Sequence, residues 1–268
     1  MTILDDILRR TRDDVRDRCA RAPLAELRAR CRDGTPTRGF RLGLTREPSD
    51  SGRRRGAVRV VAEIKKASPS RGIIRPDFDA VSLARSYAAA GANAISVLTD
   101  APFFQGSLAH LAAVRRAVEL PLLRKDFHVD PYQLWEARAA GADAVLLIVA
   151  ALSASQLQDL LGLSHDLGMS ALTEVHTREE LDAALACGAE LIGVNNRDLR
   201  TFEVSLETTF CLLPAVPSRS TLVSESGISD PDQVRRLEAA GVDGILVGEG
   251  LLRHADPGQA LRRLTGEA

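Results

Sequence analysis

Residues 140–148 read AGADAVLLI: a glycine ends a helical pattern, and an aliphatic run typical of a buried strand follows at once. The same junction occurs as AGANAISVL at 90–98, CGAELIGVN at 187–195 and AGVDGILVG at 240–248. Its glycines recur about every 50 residues, an interval that holds two strand–helix units. The repeat therefore predicts a chain of alternating strands and helices.

Eight short runs rich in β-branched and aliphatic residues are the predicted strands: residues 58–65, 94–99, 121–126, 143–149, 170–175, 191–196, 221–226 and 244–248. They lack a sustained polar–apolar alternation, as expected for parallel strands that are covered on both faces. Helical patterns fill the intervals, and aspartates followed by Pro131 and Pro231 mark two of the helix starts. Eight such pairs predict an α/β fold, a single (β/α)8 (TIM) barrel. A doubly wound open sheet is the main alternative.

The prediction places residues 1–268 in one domain, with the barrel proper over 58–268 and an N-terminal helical extension and linker over 1–57. Within the extension, residues 3–19 and 23–32 have the pattern of two charged amphipathic helices. Residues 33–57 have the composition of a loop. Its arginines at 53–55 are interpreted as a solvated charge run rather than an anion site.

The composition is that of an ordinary globular protein, with 45% hydrophobic and 26% charged residues. A net charge of −1 gives no indication of a nucleic acid or an anionic membrane as a partner, and no apolar run is long enough to span a bilayer. The four cysteines are scattered without metal-ligand spacing, so we expect reduced thiols, no metal and a cytoplasmic location. The five histidines are scattered as well and receive no role.

Polar and charged residues gather where the predicted strands end, the edge that carries the site in (β/α)8 barrels. They are Glu63 and Lys65 on the first strand, Lys125 on the third, Glu174 on the fifth, Asn195 on the sixth, and Glu225 with Ser226 on the seventh. Strand alternation places the charged members on one face, which we expect to be the inner face of the barrel. Because buried charges are costly unless they are paired, the set predicts an acid–base site rather than packing.

The loops after the last two predicted strands have the features of a phosphate site. They read SESGIS at 224–229 and VGEG at 247–250, and Gly227 and Gly248 allow a ligand to approach the backbone closely. Ser68, in the loop after the first strand, offers a hydroxyl donor. Glu249 would contribute only its backbone, because its carboxylate repels a dianion.

The segments AEIKKASPSRG, LLRKDF, ALTEVH, IGVNNRDL, SESGI and ILVGEGLL occur in this order between residues 58 and 252. Together they resemble the indole-3-glycerol phosphate synthase family of tryptophan biosynthesis. The resemblance implies a carboxy-lyase that converts 1-(o-carboxyphenylamino)-1-deoxyribulose 5-phosphate to indole-3-glycerol phosphate, CO2 and water. It also implies that no metal or organic cofactor is needed, and that the extra N-terminal helices lie over the barrel mouth.

The resemblance also implies roles for individual residues. Lys125 corresponds to the general acid that activates the substrate carbonyl, and Lys65 to a lysine that contacts the substrate carboxylate with Glu63 as its partner. Glu174 corresponds to a proton donor or acceptor in the loss of the hydroxyl. The remaining matches are the orienting residues Asn195, Glu225 and Ser226, an arginine near the site, Arg197, the phosphate contacts Ser68, Gly227, Gly248 and the backbone of Glu249, and the apolar wall of Phe127, Leu146, Ile148 and Leu199. Which group protonates which atom in the dehydration stays open.

Two other functions fit part of the pattern. Phosphoribosylanthranilate isomerase is also a phosphate-binding barrel, but its reaction needs a Cys and an Asp, and Cys187 precedes its strand instead of ending it. A non-catalytic phosphate-ligand binder would lack some of the charged residues, and all of them are present in this sequence. The partner we expect is a phosphorylated small molecule, with no nucleic acid and no membrane. Protein partners, oligomeric state and service in a specialised indole pathway stay open.

Overall fold

The computed structural model describes residues 3–47, 54–69, 71–198 and 203–266 of the chain. Within these ranges eight parallel strands close into a barrel. They are β1 Arg59–Ile64, β2 Ala94–Leu98, β3 Leu122–Lys125, β4 Ala144–Ile148, β5 Ser170–Val175, β6 Leu191–Asn195, β7 Thr221–Glu225 and β8 Gly244–Val247. Each strand lies within a predicted run. Because β1 pairs with β2 on one side and with β8 on the other, the barrel prediction is confirmed and the open sheet is excluded.

The described helices are α1 Ile3–Arg21, α2 Leu24–Arg32, α3 Phe40–Leu44, α4 Ala80–Ala89, α5 Ala101–Phe104, α6 Leu108–Ala117, α7 Pro131–Ala139, α8 Ala154–Asp166, α9 Arg178–Ala186, α10 Glu207–Leu212, α11 Pro231–Ala240, α12 Glu249–Leu252 and α13 Pro257–Thr265. Short 3-10 turns occupy Val149–Ala151 and Leu213–Ala215, and Ala67–Ser68 pairs with Gly72–Ile73 as a hairpin after β1. Sequence analysis missed α3, α5 and α12. Helices of four or five residues show no periodic pattern and owe their stability to tertiary contacts.

The predicted starts of α7 and α11 follow from local chemistry. Asp130 and Asp230 each accept a backbone N–H of the first turn, while Gln133 and Gln233 return a side-chain contact to the cap, which satisfies otherwise unpaired donors. At the other end of α11, Gly241 has a φ of 100°, a left-handed conformation that glycine adopts without steric cost.

The repeated glycine junction ties neighbouring strands together at the N-terminal end of the barrel. Asn93, Asp143 and Asp243 each lie two residues after a junction glycine and just before a strand. Their side chains accept backbone N–H groups at the start of the preceding strand, from Val60 at 2.8 Å, Leu122 at 2.8 Å and Leu222 at 2.9 Å. The recurring residue therefore holds the register of β1 with β2, β3 with β4 and β7 with β8.

Helix α3 closes the N-terminal end of the barrel, which corrects the prediction that residues 33–57 form only a loop. Phe40 and Leu44 are fully buried. They pack against inner-face residues of the barrel, including Val61 and Leu123. The two apolar side chains are one helical turn apart, so a single turn is enough to bury both.

The N-terminal extension touches the barrel at several places. The start of α1 does lie at the mouth, as expected, because Ile3, Leu4 and Ile7 line the cavity there. The other two helices do not lie over the mouth: α2 packs on the flank beside α7, where Leu27 is buried with Tyr132, and α3 sits at the opposite end. The resemblance implied the mouth for the two predicted helices, and only packing decides how the extension is distributed.

Arg54 is not part of a solvated charge run. Its side chain is 13% exposed and forms an ion pair with the buried Asp243 at 3.2 Å. It also donates to the carbonyls of Ser218 and Ser220. Arg53 lies outside the described residues. Among the helices that the structure describes, none combines the length and apolar character needed to cross a bilayer.

Candidate active site

A cavity of about 480 Å³ opens at the C-terminal ends of the strands. Of the residues predicted for the site, those that line it are Glu63, Lys65, Ser68, Lys125, Phe127, Leu146, Ile148, Glu174, Asn195, Arg197, Glu225, Ser226, Gly227, Gly248 and Glu249. The remaining predicted residue, Leu199, lies outside the described residues. The barrel thus gathers side chains that are up to about 190 positions apart in the sequence, because parallel strands all end at the same edge.

Lys125 lies among the carboxylates at the centre of this cavity. Its Nζ is 3.2 Å from an oxygen of Glu174 and 3.3 Å from an oxygen of Glu225, and both carboxylates are buried. Burial acts to lower the pKa of Lys125, but the negative charges of Glu174, Glu225 and Glu63 more than reverse this effect and raise it above its ordinary value. Lys125 therefore carries its proton when the cavity is empty, as a proton donor must.

Glu174 and Glu225 differ in their pKa values, which lie below the ordinary value for Glu174 and above it for Glu225. For Glu174 burial acts to raise the pKa, but the charges of Lys125 and His176 and a hydrogen bond from Asn195 hold it below its ordinary value. For Glu225 burial raises the pKa to about 7, and the pull of Lys125 in the other direction is partly offset by Glu174. The oxygens of Glu225 form an ion pair with Lys125 but have no well-aligned hydrogen bond to the described residues. Two carboxylates whose pKa values are pushed apart can serve in different steps of one reaction.

A second ion pair stands at the end of β1. Lys65 Nζ is 2.6 Å from Glu63 Oε1, with the Glu63 side chain buried and that of Lys65 16% exposed. Gly248 lies directly against this carboxylate, because a Cβ built at that position would collide with Glu63. Gly248 belongs to the predicted phosphate loop, and its lack of a side chain also leaves room for the Glu63 carboxylate.

Gly193 is a site residue that sequence analysis missed. It lies on the inner face of β6, and a Cβ there would collide with the carboxylate of Glu225 and crowd Leu172. The signal in the sequence is a glycine inside the strand run LIGVN, since a glycine within a strand often marks a close approach by another group.

The corner of the cavity that was predicted to hold phosphate has the expected backbone. Ser226 and Gly227 have φ values of 68° and 78°, and Gly248 precedes α12. The carboxylate of Glu249 is engaged by Arg71 at 3.1 Å and by Arg253, with Arg197 at 3.9 Å. These arginines compensate the negative charge of Glu249, which we expected to repel a phosphate at this corner.

The opposite wall of the cavity is apolar. Phe127, Leu146 and Ile148 lie there as predicted, joined by Leu98 and Phe104 and by the residues of α1 already named. Sequence analysis did not predict Phe104, because its segment TDAPFFQGS at 99–107 shows no helical periodicity. The available signal was Asp100 followed by Pro102, the pattern of a helix start; the Asp100 carboxylate accepts the N–H groups of Phe103 and Phe104.

His176, which received no role from the sequence, lies beside Glu174, with 3.7 Å between its Nε2 and Glu174 Oε1.

None of the four cysteines lines the cavity in the described part of the chain, which disfavours the isomerase alternative. No group of three or more His, Cys, Asp or Glu residues is placed to hold a metal ion among the described residues.

Similar structures support the fold. KGPDC from Streptococcus mutans matches with a TM-score of 0.61 at 13% identity, over 79% of this chain and 97% of that one. The 3-hexulose-6-phosphate synthase from Salmonella typhimurium matches with a TM-score of 0.60 at 13% identity, over 78% of this chain and 98% of that one. At this identity the likeness concerns the barrel alone.

Sequence comparison is far more specific. The family model for indole-3-glycerol phosphate synthase matches residues 4–264. The chain belongs to the indole-3-glycerol phosphate synthase family. It is 51% identical over 263 residues to the indole-3-glycerol phosphate synthase of Laribacter hongkongensis, and 50% identical over 262 residues to that of Acidithiobacillus ferrooxidans. Each match covers 98% of both chains. The indole-3-glycerol phosphate synthase family consists of decarboxylating lyases of tryptophan biosynthesis that act on a phosphorylated small molecule.

Proposed function

We propose that the chain converts 1-(o-carboxyphenylamino)-1-deoxyribulose 5-phosphate to indole-3-glycerol phosphate, CO2 and water. The observation that carries this proposal is Lys125, a buried ammonium between Glu174 and Glu225, at the centre of a cavity with an apolar wall on one side and a glycine-lined corner on the other. A flat aromatic ring suits the wall, and a phosphate suits the corner. Held at both ends, the substrate presents its carbonyl to the charged centre.

In the first step, the ring carbon that carries the carboxylate attacks the ketone carbon, and negative charge develops on the ketone oxygen. Lys125 gives its proton to that oxygen and thereby creates a hydroxyl group. We assign this step to Lys125 because its ammonium is buried and its proton is available in the empty site. The substrate carboxylate then leaves as CO2, and the electrons of the broken bond restore the aromatic ring.

In the last step, water is lost across the bond between the former ketone carbon, which carries the hydroxyl, and the neighbouring methylene carbon that is bonded to nitrogen. Glu174 takes the proton from carbon, because a carboxylate with a lowered pKa is an anion and suits a proton acceptor. Lys65 gives a proton to the departing hydroxyl and, before that, neutralises the substrate carboxylate, with Glu63 holding its ammonium at 2.6 Å. Asn195 and Glu225 orient the charged centre, and Arg197 compensates negative charge near the rim.

The phosphate is assigned to the corner formed by Ser68, Ser226, Gly227, Gly248 and the backbone of Glu249. Ser226 and Gly227 both have a positive φ, and without a side chain Gly227 lets a phosphate approach the backbone closely. The side chains of Phe127, Leu146 and Ile148 line the ring pocket, and Leu199 is assigned to the same wall by resemblance.

The test is an indole-fluorescence assay of the purified chain with 1-(o-carboxyphenylamino)-1-deoxyribulose 5-phosphate in EDTA. A rising indole signal is expected, because none of the steps above requires a metal. A flat signal while the substrate binds would contradict the proposal and favour a non-catalytic phosphate-ligand binder. Turnover of phosphoribosylanthranilate in place of this substrate would favour the isomerase.

We also propose that the chain works in the cytoplasm without nucleic-acid partners. The four cysteines are free thiols, the state that a reducing compartment maintains. The proposed domain organisation is a single barrel over 58–268 with residues 1–57 as its extension; the burial of Phe40 and Leu44 inside the barrel end supports treating both parts as one unit.

A further inference from the structure

His176 lies where β5 ends, two residues beyond Glu174, and its ring is held by α9. Its backbone N–H donates to Glu180 Oε2 at 2.6 Å, and the same oxygen is 3.3 Å from the ring nitrogen Nδ1. Glu180 belongs to the first turn of α9, whose N-cap is Thr177. One carboxylate oxygen thus fixes both the backbone and the imidazole, and the ring has a single defined orientation.

That orientation points the other ring nitrogen at Glu174. His176 Nε2 is buried, is 3.7 Å from Glu174 Oε1, and has no hydrogen-bond partner among the described residues. If Nδ1–H donates to Glu180, a neutral ring would present a lone pair to the Glu174 anion, which is unfavourable. A proton on Nε2 or on Glu174 Oε1 removes this repulsion, so the two groups favour holding one proton between them.

Carboxylates from three elements act on the ring. Glu174 on β5, Glu225 on β7 and Glu180 on α9 all act to raise the pKa of His176, against the effect of burial. Asp198 and Glu203 line the space on the side away from the barrel. The positive charge that faces this group from the barrel is Lys125, which is paired with Glu174 and Glu225. The surroundings therefore favour an imidazolium.

A second, smaller cavity of about 200 Å³ lies behind His176. It is lined by His176 and Asn195, which border the main site, and by polar residues that include Thr177, Asn196 and Ser205. A polar space of this size holds several water molecules. It offers a path from solvent to His176 that does not pass through the cavity assigned to the substrate.

The proposed reaction needs such a path. The substrate enters as a carboxylate and leaves as neutral CO2, so each turnover takes one proton from solvent. Lys125 gives its proton at ring closure, before Glu174 has taken one, so Lys125 has to be recharged through its 3.2 Å contact with Glu174 while Glu174 is still an anion. In the last step Lys65 gives one proton and Glu174 takes one, so these two changes cancel. The proton taken from solvent is therefore the one that replaces the proton given by Lys125, and the reactant proposed to fill the main cavity blocks the direct route to it.

On the basis of the function proposed above, we propose that His176, oriented by Glu180, feeds protons to Glu174 from the second cavity and so restores the charge of the Lys125–Glu174 pair. The proton passes from water to the imidazole, from Nε2 to Glu174 Oε1, and from Glu174 to Lys125, which leaves Glu174 an anion for the last step. His176 is thus a positioning and relay residue, since it is not among the residues that line the substrate cavity.

The test compares wild type with His176→Asn in steady-state kinetics between about pH 6 and pH 9, the range over which a histidine with a raised pKa titrates. We expect kcat to fall about tenfold or more with KM little changed, because the ring serves proton transfer rather than binding. As pH rises, wild-type kcat should fall when His176 loses its proton, and the variant should lack this limb. Added imidazole should accelerate the variant and leave wild type unchanged.

His165→Asn, on the exposed face of α8, is the matched control and should retain wild-type kinetics. Glu180→Gln keeps the imidazole but removes one of its carboxylate partners; it should shift the alkaline limb to lower pH and remains informative if His176→Asn does not fold. A His176→Asn enzyme with wild-type kcat and an unchanged pH profile overturns the relay. An inactive wild type instead refutes the proposed function, so the two failures are distinguishable.

Discussion

Glu174 and Glu225 carry the same functional group and both contact Lys125, yet their pKa values move in opposite directions. The difference lies in their other neighbours. Glu174 gains His176 and a hydrogen bond from Asn195, while the oxygens of Glu225 have only the ion pair with Lys125 among the described contacts. A few polar contacts therefore decide which of two buried carboxylates has a lowered pKa and which a raised one.

Lys125→Ala tests the role of the central ammonium. We expect kcat to fall by about 10²–10⁴-fold, because the acid for ring closure is lost, while the ring pocket and phosphate corner keep much of the substrate affinity. The measurement pairs the indole assay with substrate binding by fluorescence. Lys66→Ala, which removes a neighbouring lysine that does not line the cavity, is the control. Near-wild-type turnover in Lys125→Ala would refute the assignment.

Glu225→Gln tests the raised pKa through stability. Burial raises the pKa of Glu225 to about 7, so the folded protein holds this proton more tightly than the unfolded chain does. The resulting stabilisation is complete below the ordinary pKa of about 4.3 and is lost as pH rises through about 7. Denaturant unfolding between about pH 5 and pH 8 should show a steeper loss of stability for wild type than for the variant. Parallel pH curves would contradict the prediction.

Gly193→Ala tests the space that Glu225 needs. The added methyl group meets the Glu225 carboxylate, so we expect lower kcat and a loss of about 1–3 kcal/mol in the free energy of unfolding. Gly162→Ala is the control, since a Cβ there meets nothing within 4 Å in helix α8. It should stabilise the fold by about 0.5–1 kcal/mol, because alanine favours a helix interior. If both variants behave alike, the steric argument is wrong.

Helix α5 shows how a short element can place one functional side chain. It has four residues and depends on the Asp100 cap, which accepts the N–H groups of Phe103 and Phe104. The ring of Phe104 faces that of Phe127, with 6.2 Å between their centroids. The cap therefore determines where part of the apolar wall stands.

Asp100→Ala should cost about 0.5–2 kcal/mol of stability and raise KM, because α5 loses its cap and Phe104 moves. The matched control is Asp79→Ala, which removes the cap of α4. The Asp79 side chain accepts the N–H groups of Val81 and Ser82 and does not line the cavity. It should cost similar stability and leave KM unchanged. Thermal unfolding and steady-state kinetics of both variants check this; an equal rise of KM in the two would show that the cap acts only through global stability.

The N-terminal end of the barrel holds stabilising contacts, and the C-terminal end carries the candidate active site. At the N-terminal end, Asp143 and Asp243 are buried half a barrel apart and have parallel surroundings. Each accepts a strand N–H and a backbone N–H of the extension, from Arg38 at 2.7 Å and Arg46 at 3.0 Å. Each also forms an ion pair with a partly buried arginine side chain. The linker is thus fastened to the barrel end by the same residues that hold strand register.

Phe40→Ala tests this division. Truncating a fully buried aromatic residue in the barrel end should lower the free energy of unfolding by about 3–5 kcal/mol. Well below the melting temperature kcat should stay unchanged, because the cavity lies at the opposite end of the strands. Leu42→Ala, at a side chain that is 76% exposed on the same helix, should change neither quantity. A loss of kcat in folded Phe40→Ala would show that the two ends are coupled.

Sequence reasoning was strongest where local chemistry repeats. The strands, the capped helices and the glycine junctions each depend on residues a few positions apart in the sequence. They can therefore be predicted without knowledge of tertiary contacts. The charged residues at strand ends could be assigned to one site because a closed parallel barrel brings all such ends to one edge. The roles of the predicted site residues, including Leu199, stay predictions.

Tertiary structure alone decided the rest. α3 and α5 are too short to be read from periodicity and exist because the barrel buries Phe40 and places Phe104. The role proposed for His176 depends on its distance from Glu174 and its contact with Glu180, neither of which the sequence indicates. The sequence by itself determined the barrel and which charged residues lie at the strand ends, because the hydrophobic periodicity and the position of a residue in its strand are local properties. Which member is acid, base or relay depends on burial and on neighbours distant in the chain, and these exist only once the barrel has closed.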